Sequence, residues 1–341
     1  MSFTNKIIAL SWYPLLWGYF LLEMYKQQQY TRRVIGREMN SVAIRPDVLP
    51  IEVRKKIFKY YGTAVPALVG AFLSQLRHQQ LHADERYILT LFGAATGLFD
   101  DLFDNGKYSD HEILEILQRP ENIITENPET HLFIHLYTKA LEKVSAPSTV
   151  KAACLEVYSA QRNSRKQKNG RLSQEELLNI TAQKGAASLQ LYGCLLNHGT
   201  TPQLLSILSK TGIVGQMEND IFDVWEDTSA GIQTLANSTS DLTVLRQRYL
   251  QAIDDVLLAM DTADIKSSMA ARLFIMIAAR GLVCIDFYQK ATMSNNGKFV
   301  PASLQRIQMI CDMDTLVAQW QSLQHYLGLC GSKHVHLDPH N

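Results

Sequence analysis

Leu98-Phe99-Asp100-Asp101-Leu102-Phe103-Asp104-Asn105 closes an apolar, small-residue run, Leu91-Phe92-Gly93-Ala94-Ala95-Thr96-Gly97. Three carboxylates and an amide thus end a stretch that otherwise has the composition of a buried helix. Acids are rarely buried unless they are paired or bound to a cation. On a helix, Asp100 and Asp104 stand one turn apart on one face, with Asp101 beside them. Such hard oxygen donors suit Mg²⁺, which takes one or two carboxylates together with waters and substrate phosphates. A solvated helix end would account for one such cluster equally well.

A second cluster shifts the balance. Gln216-Met217-Glu218-Asn219-Asp220-Ile221-Phe222-Asp223-Val224-Trp225-Glu226-Asp227 again has helical patterning, with Asn219, Asp223 and Asp227 at every fourth residue. Like charges at this spacing destabilise an isolated helix by roughly a few tenths of a kcal/mol per pair. Ile221, Phe222, Val224 and Trp225 are interleaved with them, so much of this helix is expected to be buried. Repelling acids in a buried helix point to a missing cation.

Here the chain resembles a family. Asp100-Asp101-x-x-Asp104 is similar to the DDxxD motif of class I isoprenoid synthases, which include trans-prenyltransferases and terpene cyclases. Gln216-x-x-Asn219-Asp220-x-x-Asp223 resembles the QxxDDxxD element of trans-prenyltransferases, with Asn in place of the first Asp. Asn219-Asp220-x-x-Asp223-x-x-x-Asp227 equally resembles the NSE element of terpene cyclases, with Asp for Ser/Thr and Asp for Glu. Between the two, Ile180-Thr181-Ala182-Gln183-Lys184-Gly185-Ala186-Ala187-Ser188 looks like the prenyltransferase segment whose Lys contacts diphosphate. The order and separation of the three fit the family over roughly residues 55 to 290.

The resemblance implies an all-α, single-domain helical bundle of the isoprenoid synthase type, with a central apolar cavity and acids at its mouth. It also implies three Mg²⁺ ions and a prenyl diphosphate substrate. By it, Asp100 and Asp104 are metal ligands with Asp101 in support. Asn219, Asp223 and Asp227 form the second set in the cyclase-like reading, and Asp220 with Asp223 leads in the prenyltransferase-like one. Lys184 is the best diphosphate partner, with Arg165 and Arg171 from the basic run before Ser173 as further candidates and Gln216 beside the second motif. Phe99 and Thr96, just ahead of DDxxD, are expected to face the isoprenyl tail.

Departures from the family choose the subclass. Chain-elongating prenyltransferases carry a basic GKRxRP segment and an Arg pair after DDxxD, which hold a second diphosphate. Tyr61-Gly62-Thr63-Ala64-Val65-Pro66 and Asn105-Gly106-Lys107-Tyr108 occupy those places without the required cations. Burying a doubly charged group without cations is prohibitive. The chain therefore reads as a terpene synthase that ionises one allylic diphosphate. A prenyltransferase of the same fold is the alternative, either head-to-head like squalene and phytoene synthases or acting on another acceptor. Phe92, Phe99, Phe103, Phe222, Trp225, Tyr192, Phe274, Phe287 and Tyr288 are candidate cation-stabilising rings. Small residues from Gly93 to Gly97 lean toward a deep pocket and a geranylgeranyl or longer substrate.

Composition narrows the rest. The chain has 341 residues, with 33 basic and 33 acidic side chains. That balance gives no global pull toward nucleic acid. Five scattered cysteines without a CxxC pair read as reduced thiols in a cytoplasmic compartment. Ile7 to Leu22 is apolar but short for a bilayer span and contains Pro14 and Gly18. Packing of this segment on the core is the leading expectation. Peripheral membrane contact is the alternative, and a homodimer is compatible with the resemblance. The reading divides the chain into an N-terminal apolar segment over 1–48, the synthase-like domain over 49–328 and a polar tail over 329–341.

Helical patterns cover about 49–79, 83–105, 130–169, 173–197, 202–227, 241–290 and 301–327, some of them being two helices. Ser109 and Ser173 each open a capping box. Thr228 to Ser240, rich in small polar residues, reads as a candidate lid. His334, His336 and His340 lack metal-ligand spacing.

Overall fold

Ser109 and Ser173 start helices as their spacing predicts. The Ser109 hydroxyl accepts the Glu112 N–H at 3.3 Å while the Glu112 carboxylate accepts the Ser109 N–H at 2.7 Å. Ser173 and Glu176 repeat the exchange at 3.2 and 2.8 Å. Each box satisfies two backbone donors that a helix start otherwise leaves open.

The computed structural model describes residues 3–104, 108–168, 171–263, 267–292 and 297–331, apart from the side chains of residues 3–5, 101 and 104. Among these the chain is all-α, with no strand. In order, the helices are α1 (Phe3–Ser41), α2 (Ile51–Lys55), α3 (Val65–Leu76), α4 (Ala83–Asp104), α5 (Asp110–Gln118), α6 (Pro128–Leu141) and α7 (Pro147–Ser164). There follow α8 (Gln174–Cys194), α9 (Pro202–Phe222), α10 (Val224–Ser229), α11 (Leu235–Ser238), α12 (Leu242–Thr262), α13 (Ser268–Thr292) and α14 (Leu316–Leu329). The pattern over 49–79 resolves into α2, a π-helical stretch Lys56–Ala64 and α3. That over 241–290 splits into α12 and α13, and the one over 301–327 is helical only in α14 and two short turns.

By compactness the chain forms two units. One holds residues 17–155 and 191–200, the other residues 1–16, 156–190 and 201–341.

In the first unit α4 is the central element. Its glycines admit the π-helical stretch: a Cβ on Gly93 would stand 2.6 Å from the Tyr61 carbonyl oxygen and 2.7 Å from the Pro66 ring, and one on Gly97 would stand 3.0 Å from Lys56 Cβ. The small residues before the first acidic motif therefore serve close packing at Gly93 and Gly97, where Tyr61, Pro66 and Lys56 take up the space. On α4's other contacts, Phe92 meets Tyr137 at 5.8 Å between ring centres and Phe99 meets Phe133 at 6.0 Å.

At the start of α4, Glu85 is fully buried and paired with Arg77 through two bonds of 2.8 and 2.9 Å. The same carboxylate accepts the backbone N–H of His82 at 3.1 Å and of His198 at 3.2 Å. Burial by itself pushes the Glu85 pKa up, but Arg77 and the two backbone donors outweigh it and the net shift is downward.

In the second unit α13 is the core helix, buried along most of its length. It packs against α9, α12 and α14. The first turns of α1 dock here, with Trp12 under the buried Arg272 guanidinium at 4.6 Å and Tyr13 against Tyr326 at 5.0 Å. Between residues 6 and 25 only Ala9 and Leu16 are buried. Ile7, Leu10, Leu15, Leu21, Leu22 and Tyr25 are exposed. Pro14 lies within an unbroken helix.

The segment read as a lid is tied down. Gln233 and Gln167 exchange bonds through Gln233 N–H to Gln167 O and Gln167 Nε2 to Gln233 O, at 2.8 and 2.9 Å. Thr239 donates to the Leu235 carbonyl, and Thr234, Leu235 and Ala236 are buried.

Glu85→Gln leaves Arg77 buried without its counter-charge and is expected to cost roughly 3–5 kcal/mol, the usual range for breaking a buried pair. Because the folded pKa is lowered, this stabilisation is complete above about pH 5 and lost as pH falls through the folded value. Urea unfolding of both proteins between pH 3 and 7 checks this; equal midpoints at neutral pH would remove Glu85 from this role.

Candidate functional site

The downstream motif depends on a close helix crossing in the second unit. A Cβ on Gly185 of α8 would lie 2.2 Å from the Gly212 carbonyl oxygen, and one on Gly212 of α9 would lie 2.1 Å from that of Gly185. Only residues without a Cβ allow backbones to approach so far. This contact brings Thr181 and Lys184, one turn apart on α8, against the end of α9.

Asp220 is 6% exposed, and both its oxygens are held. Thr181 Oγ1 donates to Oδ2 at 2.8 Å and Gln216 Nε2 donates to Oδ1 at 2.8 Å. Asn219 is exposed, and its amide donates to the Asp223 carboxylate. Helix α9 ends at Phe222, so the predicted continuous helix over 202–227 is interrupted at Asp223, with φ −91° and ψ 15°. The Asp227 N–H still donates to the Asp223 carbonyl at 2.8 Å, which keeps these two residues one turn apart.

Electrostatics join the set. Burial raises the pKa of Asp220, Asp223 and Asp227. Asp227 moves to about 7, first through burial and then through repulsion by Asp220 and Asp223. For Asp223 the repulsion comes foremost from Glu226. Lys184, half-buried, pulls all three the other way. Several partly desolvated carboxylates share one cation, so the cluster carries an excess of negative charge. Its donors are carboxylate and amide oxygens, the hard set that Mg²⁺ accepts. Asp220 differs from the rest because Thr181 and Gln216 already engage it. Of the others, Asn219 is engaged with Asp223.

Lys184, Gln216, Asn219, Asp220, Asp223 and Asp227 are thus brought together, whereas Arg165 and Arg171 are exposed in the segment before α8. Sequence reasoning passed over Arg280 on α13, which lies 3.7 Å from the buried Glu218 and 5.3 Å over the Phe222 ring. Burial lifts Glu218 to about 7, against the pull of Arg280. The available signal was a single cation inside the apolar run Ile275-Met276-Ile277-Ala278-Ala279-Arg280. Tyr288, read as a cavity ring, is fully buried and donates to the Ile221 carbonyl at 2.7 Å, which fixes the backbone next to the motif.

In the first unit, the upstream motif ends α4. Thr96 Oγ1 donates to the Phe92 carbonyl and lies 3.2 Å from the Tyr192 hydroxyl. Burial pushes the Tyr192 pKa up to about 12, and the charge of Asp100 acts in the same direction. Thr96, Asp100 and Tyr192 therefore form one polar group. Asp101 and Asp104 are on the last turn of α4, with side chains outside the described residues, as are Asn105, Gly106, Lys107 and the three tail histidines.

No protein-family model matches the chain, and no curated protein does. Among solved structures it is similar to a geranyltranstransferase from Thermotoga maritima, at 17% identity and a TM-score of 0.46, over 72% of this chain and 96% of that one.

Two outcomes follow from this geometry. Gly212→Ala forces a Cβ against the Gly185 carbonyl and is expected to cost roughly 1–3 kcal/mol, as overpacking does, lowering the urea midpoint. A midpoint unchanged from wild type would remove the crossing as a constraint. For Asp227, the raised folded pKa means that the unfolded chain releases its proton first as pH rises. The cost to stability is absent below about pH 4, grows toward pH 7 and is full above it. In metal-free buffer Asp227→Asn is expected to gain about 1–2 kcal/mol at pH 8, discounted for the group's contact with water, and nothing at pH 4. Denaturation at the two pH values tests the sign.

Proposed function

We propose that the chain is a Mg²⁺-dependent class I terpene synthase that ionises one linear allylic prenyl diphosphate and cyclises the resulting cation, releasing diphosphate. The observation that carries this reading is the grouping of Asp223 and Asp227, carboxylates of raised pKa that share the charge of Lys184, with Asn219 bonded to Asp223. Asp100, Asp101 and Asp104 supply the upstream donors in the same reading.

Mg²⁺, when bound, acts as a Lewis acid toward the charge that builds on the departing diphosphate. Lys184 adds an N–H donor for a phosphate oxygen, and its charge acts on Asp220, Asp223 and Asp227. Asp220 holds Gln216 and Thr181 in place and so fixes the line of α9. Asn219, by donating to Asp223, keeps that carboxylate aimed in one direction. Thr96 and Tyr192 play the corresponding part beside Asp100. Phe99 and Phe222 are offered as aromatic faces for positive charge. Tyr61 to Pro66, where a second diphosphate would need cations, carries none, which favours a single-substrate reaction. The exposed apolar side of α1 suits peripheral contact with a membrane that holds a lipophilic substrate or product.

A transferase of the same class is the second reading. It is favoured by the string Asn219-Asp220-x-x-Asp223-x-x-Glu226-Asp227, which is similar to the second motif of head-to-head enzymes, and by the action of Glu226 on Asp223.

The full chain is incubated with Mg²⁺ and, separately, geranyl, farnesyl, geranylgeranyl and geranylfarnesyl diphosphate, and extracts are read by mass spectrometry. A cyclic hydrocarbon or alcohol from one substrate is expected. Its rate should fall at least about a hundredfold in Asp100→Ala and Asp223→Asn, the scale seen when groups stabilising transition-state charge are lost. Silence with each substrate alone, followed by a coupled product once a second prenyl diphosphate or an acceptor is added, would replace the cyclase by the transferase.

A further inference from the structure

Away from both acidic motifs, His82, Asp84 and His198 converge in the first unit. One ligand atom from each lies within 4.8 Å of the other two. The two imidazoles are in contact, with ring centres 4.4 Å apart. His82 precedes α4, Asp84 is in its first turn, and His198 lies in the connection between α8 and α9. Surface histidines ordinarily sample many positions, but the backbone at both of these is fixed by one group. The fully buried Glu85 accepts the N–H of His82 and the N–H of His198, and Arg77, which closes on the same carboxylate, also donates to the His198 carbonyl. Asp84 is held as well, with Asn197 Nδ2 donating to its Oδ2 at 2.7 Å. That bond, ahead of the burial that opposes it, lowers the Asp84 pKa and keeps it a carboxylate.

We propose that His82, Asp84 and His198 form a binding site for a transition-metal dication of the Zn²⁺ class. Two imidazoles with one carboxylate are borderline ligands, which select Zn²⁺, Ni²⁺ or Cu²⁺ over Mg²⁺. Zn–N and Zn–O bonds are about 2.0–2.2 Å, so ligand atoms of a tetrahedral ion stand about 3.3–3.6 Å apart. From the 4.8 Å bound the three close by at most about 1.5 Å, which rotation of the exposed imidazoles supplies. Asn197 and Glu85 stand behind the ligands in the way outer hydrogen bonds orient metal-bound side chains. Three protein ligands leave the fourth position to water. Bound there, the ion ties the α8–α9 connection to the start of α4. The site requires nothing of the acidic motifs or of the reaction proposed for them.

The test is titration of the chelator-treated full chain with Zn²⁺ by calorimetry, and with Co²⁺ by visible absorption, in the presence of excess Mg²⁺. One ion per chain is expected, with a Co²⁺ spectrum lacking the near-ultraviolet thiolate band that the five cysteines would give. Affinity should fall at least tenfold in His82→Ala, in His198→Ala and in Asp84→Asn. Each variant is checked by circular dichroism, and all three side chains lie at the surface or only partly below it. His82→Cys, which restores a Zn²⁺ ligand, should recover Zn²⁺ binding. No saturable Zn²⁺ binding, displacement by Mg²⁺, a thiolate band, or an affinity indifferent to the three substitutions would each overturn the site.

Discussion

The downstream acids depend on a backbone contact that carries no charge. Gly185 and Gly212 let α8 and α9 meet at a distance any Cβ would forbid. Through that contact Thr181 reaches Asp220 and Lys184 comes to face Asp220, Asp223 and Asp227. Without it the acids would still follow one another from the end of α9 into α10, but the cation that partly balances them would not be in range. Burial and mutual repulsion then raise the pKa values of these carboxylates further than one lysine offsets.

The first unit uses glycine to the same end. Gly93 and Gly97 draw the π-helical stretch onto α4 just before the upstream acids, so the end of that helix is braced by Tyr61, Pro66 and Lys56. At the other end of α4, Glu85 and Arg77 join the α3–α4 corner to the connection after α8. A buried ion pair is in itself weak evidence for stability, since desolvation offsets the attraction. Here the pair also satisfies two backbone N–H groups, and that is what fixes the histidines on either side.

Much of the fold was legible along the chain. The capping boxes at Ser109 and Ser173 formed as their spacing implied, because capping needs only residues three apart. The extent of α4 followed from its apolar periodicity. The break at Asp223 did not, since Asn219 to Asp227 reads as one helix and the interruption is a property of the packed turn. Small residues before the first motif suggested open space, yet Gly93 and Gly97 are filled by another segment of the chain. The absence of a side chain says that something can come close, not whether it is substrate or protein. The Thr228–Ser240 segment looked mobile from its small polar residues, while its hydrogen bonds to Gln167 and within Thr234–Thr239 hold it down.

By itself, the sequence determined that this protein is helical and that two acidic motifs interrupt apolar helices, because periodicity and charge spacing are local properties. Through the family resemblance it also offered Lys184 as a partner for diphosphate, while the structure shows its charge acting on the second motif. Tertiary structure decided which acid is already satisfied, placing Asp220 between Thr181 and Gln216 while Asn219 pairs with Asp223. It likewise found Arg280 beside Glu218, and it gathered His82, Asp84 and His198 from positions more than a hundred residues apart in sequence. Those arrangements rest on desolvation and on contacts between distant segments, and neither quantity exists until the chain has folded.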